Sequence, residues 1–509
     1  MSARSPRVHR TVRVVPDEPR VRRPRADVLD EVELEPGRFG QARGPFVVYE
    51  RRLEDNGDGT LTEVTEHRLA PMVLPPLGWL VRATIRRPAR RPGRPFWAPP
   101  EAVDARAATT LGSLCLLAIV LSYLGSVLTQ TVTYTADAFD ASTTAQSATL
   151  AAVRIGVLLA VALTVVADRR GRRQVLLAAA FGGCLLTAAS ALVPGLAVLG
   201  ALQLPLRGLT TAGGVLLAVF VAEEMPAGAR AYGVSLLTMA GALGVGMTLW
   251  VLPLADLGPD GWRLVYALGL AWIPAVLVAA RHLQESRRFA AQPAAAAPTD
   301  GAPATGHRRR FWLLAVSALL LNVFTSPASQ LMNEFLREER SFSAAQISLF
   351  TILTNTPGGL GILIGGRLAD VRGRRVVGAV GVAGGTLLTV GMVLVGGWPM
   401  WALSVAGAVI GALTIPALGV YGPELFPTGS RSRANGIISV LGVLGGVIGL
   451  LAAGAMTDRW GSLGPALGVL SIGPLAMAAL VVLAYPETAH LELEELNPED
   501  RGAAPPELR

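Results

Sequence analysis

The stretch Ala167-Asp168-Arg169-Arg170-Gly171-Arg172-Arg173 returns 202 residues later as Ala369-Asp370-Val371-Arg372-Gly373-Arg374-Arg375. The recurrence continues along the chain. Glu223 and Arg230 return as Glu424 and Arg431, and Gly241 and Gly244 return as Gly442 and Gly445, each 201 residues on. Glu285-Ser286 returns as Glu487-Thr488 at an offset of 202. A fixed offset kept over so many landmarks marks an internal duplication. Between the landmarks the sequence is almost purely apolar.

Twelve apolar stretches meet the roughly 20-residue length needed to cross a bilayer as a helix. They are 107–128, 145–167, 174–194, 197–222, 232–253, 262–281, 311–331, 345–368, 375–396, 399–422, 433–456 and 464–484. Lipid offers no partner to a free peptide group, and the Ala/Leu/Val/Gly texture suits helices rather than a barrel. The expected fold is therefore an all-α membrane protein with twelve transmembrane helices in two six-helix repeats, 107–289 and 311–485. With 51% hydrophobic and 16% charged residues, one ordinary soluble domain is excluded.

Arginine sets the expected orientation. Arg169, Arg170, Arg172 and Arg173 follow span 2, Arg230 follows span 4, and Arg287, Arg288 and Arg308 to Arg310 follow span 6. Arg372, Arg374 and Arg375 follow span 8, and Arg431 and Arg433 follow span 10. The alternate loops carry only Arg263, Arg337, Arg340 and Arg459. The positive-inside rule then puts both termini in the cytoplasm of a multi-pass protein of the cell membrane. The net charge of +8 reads as topology, and nucleic-acid binding is the weaker reading. All 45 basic residues are arginine, which rules out Schiff-base or Walker lysine chemistry. Cys115 and Cys184 fall inside spans, and the five histidines have no metal spacing. No enzyme, metal site or cofactor is expected.

The polar segments read as follows. Residues 1–45, rich in Arg, Pro and acidic side chains, are expected to be disordered. Within 46–106, the stretches 46–53 and 60–69 alternate around Asn56-Gly57-Asp58-Gly59 and predict a β-hairpin. The same turn half-matches a calcium loop, but Thr65 stands where a chelating Glu would close it. Residues 75–91 join Trp79, Leu80 and Ile85 to an arginine cluster, which fits either a helix on the anionic leaflet or a solvated linker. Residues 290–310 form a cytoplasmic linker and 486–509 a short acidic tail.

GRLADVRGRR, 366–375, resembles the signature loop between the second and third helices of a half in the major facilitator superfamily. Its earlier copy, TVVADRRGRR at 164–173, has Thr164 where the pattern has glycine, which brings close helix packing there into question. PELFPTGSR, 423–431, resembles the motif after helix 10 of sugar-porter-like members, with EEMPAGAR at 223–230 as its counterpart. QESRRF at 284–289 and PET at 486–488 are similar to the sequences that close each half in that branch. The resemblance covers about residues 107–490 and implies a transporter of a small polar metabolite, working by alternating access. A membrane sensor with a transporter-like core is the alternative.

The physics of the landmarks points the same way. Asp168 and Asp370 end helices beside Arg172 and Arg374, Glu223 and Glu424 end others, and Arg230 and Arg431 begin the next. Acids are favoured near helix N-termini, and acid–base pairs across the halves would close a cytoplasmic gate. Asp370 and Arg431 are candidates for one such direct pair. The outer arginines of each cluster need do no more than set topology.

Span 1 carries Ser122, Ser126, Thr129, Gln130 and Thr133, and span 7 repeats the spacing 200 residues on with Asn322, Ser326, Ser329, Gln330 and Asn333. Each set lies on one helix face. A polar face in lipid must look at protein or water, so it serves helix–helix bonding or lines a cavity. The resemblance favours the cavity, with Gln130, Asn322, Ser326, Gln330 and Asn333 as solute contacts. Arg154 and Arg207 lie inside spans that hold no acid in their cores, so the cavity's N-half side is expected to be positive and to suit an organic anion. A structural pairing of Arg154 with Asp137 or Asp140 is the other option, and a neutral polyol or sugar the other solute. A coupling proton is left open, because span 1 has no carboxylate in its core.

Overall fold

The computed structural model describes residues 8–87, 93–141, 149, 152–153, 155–291, 305–342 and 344–503. The described residues begin with a β-sheet. Strands β1 (His9–Pro16), β2 (Asp30–Glu35), β3 (Arg38–Arg43), β4 (Phe46–Asp55) and β5 (Thr60–Leu69) form one antiparallel sheet in the order β1-β5-β4-β3-β2. The expected hairpin is β4–β5, so the disorder expected for 1–45 is corrected for residues 8–43. The charges that suggested disorder are paired across strands. Arg13 stands opposite Glu63 and meets it at 2.6 Å, and buried Arg51 meets Glu31 at 2.6 Å above the Phe39 ring. Helix α1 (Pro75–Ile85) lays Val81 and Ile85 under the sheet against Val28, Leu29, Phe46 and Tyr49, leaving Trp79 exposed.

The remaining helices are α2 (Ala105–Ala138), α3 (Val157–Arg170), α4 (Arg172–Ser190), α5 (Leu196–Glu224), α6 (Arg230–Val251) and α7 (Gly261–His282) in the first half. The second half has α8 (Thr305–Gln330), α9 (Ala344–Asn355), α10 (Gly358–Arg372), α11 (Arg374–Leu394), α12 (Gly397–Glu424), α13 (Arg431–Trp460) and α14 (Leu463–Ala484). Among the described residues, eleven helices are long and apolar enough to cross a membrane. The expected span 145–167 is represented by α3 from Val157, and part of its start lies outside the described residues. The multi-pass fold is that of a membrane protein.

The duplication reappears in the packing. In each half the fifth span lies against the first, α6 on α2 and α13 on α8, through glycines at repeated positions. A Cβ on Gly244 would fall 2.2 Å from the Ile119 carbonyl oxygen, and one on Gly445 would fall 2.5 Å from that of Leu319. Only a missing side chain lets the backbones come so near.

The two halves meet along α10 against α6 and α3 against α13. Gly366 on α10 faces Ser235 on α6, where a Cβ would stand 2.7 Å from the serine Oγ. At the equivalent place Thr164 on α3 faces Gly436 on α13, where a Cβ would stand 2.6 Å from the threonine Oγ1. The bulk has changed sides. Close packing at Thr164 therefore survives, because its partner is the glycine.

Candidate functional site

Helices α3 and α10 carry Asp168 and Asp370 in their last turns, and Gly171 and Gly373 turn the chain into α4 and α11. Their φ values of 106° and 98° belong to glycine, and a Cβ would press on the carboxylates of Glu285 and Glu487. Those carboxylates accept the first N–H groups of the next helices. Glu285 takes Arg172 N at 3.2 Å and Arg173 N at 3.1 Å, and Glu487 takes Arg374 N at 3.0 Å and Arg375 N at 3.2 Å. The two acids are shifted in opposite directions. Burial pushes the Glu285 carboxyl above its ordinary range. At Glu487 burial acts the same way, but the N–H groups of Arg374, Ala489 and Arg375 outweigh it and hold the carboxyl below its range.

Each aspartate reaches across to the other half. Asp168 accepts Ser432 N at 3.3 Å and Arg433 N at 2.9 Å, at the start of α13. Asp370 accepts Ala231 N at 3.2 Å and Tyr232 N at 2.9 Å, at the start of α6. A carboxylate on unsatisfied helix N–H groups gains both hydrogen bonds and the dipole. Within its own half each aspartate touches an arginine, Arg172 at 3.4 Å and Arg374 at 3.3 Å.

The glutamates complete the crossing. Glu223 meets Arg431 of the second half at 2.6 Å and Arg172 at 3.3 Å. Glu424 meets Arg230 of the first half at 3.2 Å and also pairs with Arg374. Arg172 donates to the Thr428 carbonyl, and Arg374 to that of Ala227 at 3.2 Å, so each arginine also crosses. All eight side chains are buried. Buried charges survive only when paired and hydrogen-bonded. The pairing expected between Asp370 and Arg431 is corrected: Asp370 binds helix N–H groups and Arg374, while Arg431 binds Glu223, the Phe426 carbonyl and Asp500. Sequence reading missed the tail, where Glu492 lies 3.1 Å from both Arg230 and Arg288, and Asp500 accepts Thr428 N at 3.0 Å. Its Glu- and Asp-rich composition beside so many arginines was the available signal.

Residues 314–507 match the family model described as Major Facilitator Superfamily. Across 78% of this chain and 99% of the other, the structure is similar to that of the proton:xylose symporter XylE bound to 6-bromo-6-deoxy-D-glucose, with a TM-score of 0.64 and 19% identity. It is similar also to the human organic anion transporter MFSD10, with a TM-score of 0.58, 17% identity, and coverage of 74% of this chain and 99% of that one. The fold is that of the major facilitator superfamily. Among curated proteins, the puromycin resistance protein pur8 of Streptomyces alboniger is 31% identical over 175 residues, 32% of this chain. That match spans about a third, 35%, of the relative's length.

In this superfamily fold a cavity of about 370 Å³ lies between the halves, lined by Thr210, Thr211 and Gly214 of α5, Gly419 and Pro423 of α12, and Asn435 and Ser439 of α13. Pro423 adjoins Glu424 and the other lining residues sit one to four helical turns inward of Glu223, Glu424 or Arg431, so the ion pairs form its floor. A second cavity shares Thr210, Thr211 and Gly214 and adds Ser122, Ser126 and Arg207. Arg207 lines this second cavity and has an interaction of its own.

The span 7 stripe turns elsewhere. Asn322 donates to the Ala318 carbonyl at 2.9 Å, and Asn322 and Ser326 lie against Gly442 and Gly446 of α13. These two side chains face α13, and neither lines the two cavities. Ser126 shares a hydrogen bond of 2.7 Å with Thr248. Gln130 is half-buried and lines neither cavity, and Gln330 is exposed with an interaction of its own. The side chains of Asn333, Thr133 and Asp137, and all of Arg154, lie outside the described residues. Thr210, Thr211 and Asn435 were missed because none repeats in the other half, and Ser439, whose counterpart is Thr238, because it stands alone among apolar neighbours.

Proposed function

We propose that the protein is a secondary or facilitative transporter that moves a small polar metabolite across the cytoplasmic membrane by alternating access. One observation carries this reading: a cavity between two duplicated halves has a floor of buried ion pairs that cross from half to half. Such pairs break when the halves part and re-form when they meet, which makes a two-state element. Asp168, Arg172, Glu223, Arg230, Asp370, Arg374, Glu424 and Arg431 are its gate. The arginine asymmetry of the loops puts this gate and both termini in the cytoplasm, and twelve spans as six plus six complete the architecture.

The solute is bound by hydroxyl and amide groups of Thr210, Thr211, Asn435 and Ser439, with Arg207 nearby. Relatives are named for a xylose symporter, an organic anion transporter and a puromycin resistance protein, so the fold does not fix the solute. The arginine favours an organic anion over a neutral sugar, because only the anion gains a charge-assisted bond. A coupling proton would need a carboxylate, and neither cavity lining includes one. Reconstituted vesicles challenged with labelled organic anions and neutral sugars test the reading. Saturable uptake or efflux supports transport. Binding without flux across the panel would favour a sensor instead.

A further inference from the structure

The N-terminal sheet is joined to the helical core by residues 93–104, which form no helix or strand, so most of their carbonyls have no ladder to enter. Several are taken by Arg367 of α10, in the second half. Its guanidinium donates to the carbonyls of Pro95 at 3.0 Å, Phe96 at 3.0 Å and Ala98 at 2.5 Å, and lies 5.3 Å from the centre of the Phe96 ring. The same few residues also hold the first half. Tyr232 of α6 donates its hydroxyl to the Trp97 carbonyl at 2.8 Å, and Glu101 accepts Gly228 N at 2.9 Å.

Both anchors belong to one latch of the gate. Tyr232 gives its backbone N–H to Asp370, and Arg367 stands one turn before Asp370 on the same helix. The other latch has no such brace, since the position equivalent to Arg367 is Val165. The segment is also tied to the sheet, through Arg94 to Asp30 at 2.5 Å and Glu101 to Arg43 at 3.0 Å.

We propose that residues 94–104 are a clasp that holds the arginine-rich end closed, with the N-terminal sheet as the handle that releases it. The proposal rests on the reading that this end opens during transport. The geometry also says which contact must break. The segment runs covalently into α2 and is held to the first half by Asp104 and Arg287 at 2.6 Å. It therefore travels with the first half, and Arg367 must let go. A ligand or partner that shifts the sheet pulls on Arg94 and Glu101, and so acts on the gate from outside the membrane.

Spin labels at Arg170→Cys and Arg372→Cys, exposed positions on opposite halves, report the opening by pulsed EPR of the full chain in nanodiscs. Cys115 and Cys184 are buried and leave the labelling specific. Arg367→Gln is expected to raise the long-distance population roughly tenfold, the effect of losing a charge-assisted hydrogen bond. Phe96→Ala, at an exposed ring remote from the core, shifts it the same way by less and covers the case in which Arg367→Gln does not fold. Tyr232→Phe, on the side that stays attached, changes it little. Distances unchanged in both Arg367→Gln and Phe96→Ala overturn the clasp. Vesicle flux on the same proteins separates the two ideas. Flux with unmoved distances sinks the clasp alone, whereas shifted distances without flux for any solute sink the transport reading and leave the clasp standing.

Discussion

Glu223 and Arg431, 208 residues apart and in opposite halves, meet at 2.6 Å with both side chains fully buried. Their mirror pair, Glu424 and Arg230, meets at 3.2 Å. Neither acid has a second face in water, so each arginine supplies the partner that solvent cannot. The pair belongs to the closed arrangement, and so do the consequences of breaking it.

Removing Arg431 leaves a buried carboxylate with less compensation, which costs about 3–5 kcal/mol in comparable buried pairs. Arg431→Gln is expected to populate the form open at this end, read as faster labelling of a Ser439→Cys probe in the cavity. Combined with Glu223→Gln, it should show a coupling of about 0.5–3 kcal/mol, as for residues in direct contact. Combined with Asp370→Asn, with which it shares no partner, it should be additive within about 0.5 kcal/mol. A strong Asp370–Arg431 coupling would contradict the pairing described above.

The exchange of bulk between the two interfaces makes a sharper prediction. Gly436→Ser forces a side chain against Thr164 and is expected to cost about 1–3 kcal/mol of overpacking. Thr164→Gly in the same protein should restore stability, since it reproduces the Gly366–Ser235 arrangement at the equivalent positions. Thermal melting of the two single variants and the double variant decides it. No rescue in the double variant would mean that Thr164 and Gly436 do not bear on one another.

The sheet has its own acid sensitivity. His67 is 2% exposed, and burial, with repulsion from His9, Arg82 and Arg86, pulls its imidazole down to about 4. The unfolded strand takes up a proton near 6.5, while the folded one does not until about 4. Stability from His67 is thus complete above 6.5 and is lost as the pH falls through that window. Protection factors along β5, corrected for the slower intrinsic amide exchange at lower pH, should fall from pH 7.5 to 5 in the native chain and fall less in His67→Gln. Equal responses would acquit the histidine.

For the solute, Asn435→Ala should weaken binding by about 1–3 kcal/mol if a buried hydrogen bond is lost. Arg207→Gln should weaken anions far more than neutral sugars, because only anions lose a charge-assisted bond. Titration calorimetry with matched anionic and neutral ligands measures both. Equal losses for the two classes would make Arg207 a structural residue.

The repeated charged loops were legible because their chemistry is local. A carboxylate at a helix end beside Arg172 or Arg374 announces its role in the order of residues, and Gly171 and Gly373 announce the turn. Which partner each acid takes was not legible, because Asp370 has several arginines near in sequence and selects N–H groups of Ala231 and Tyr232, far along the chain. The neighbours of the polar stripe were hidden for a related reason. Helical spacing fixes that Asn322 and Ser326 share a face, but not that α13 offers that face Gly442 and Gly446. Strands β1 to β3 were hidden by composition, since Arg13 and Glu63 read as solvated charges until their strands are paired.

The exchange at Thr164–Gly436 and Gly366–Ser235 bears on ancestry and assembly. Two copies of the first half would set threonine against serine at both seams, and two copies of the second would set glycine against glycine. One assembly is crowded and the other gapped, whereas the unlike pair fits at both seams. The halves have stopped being duplicates and become obligate complements. Expressed as separate chains, each should choose its sibling over its twin.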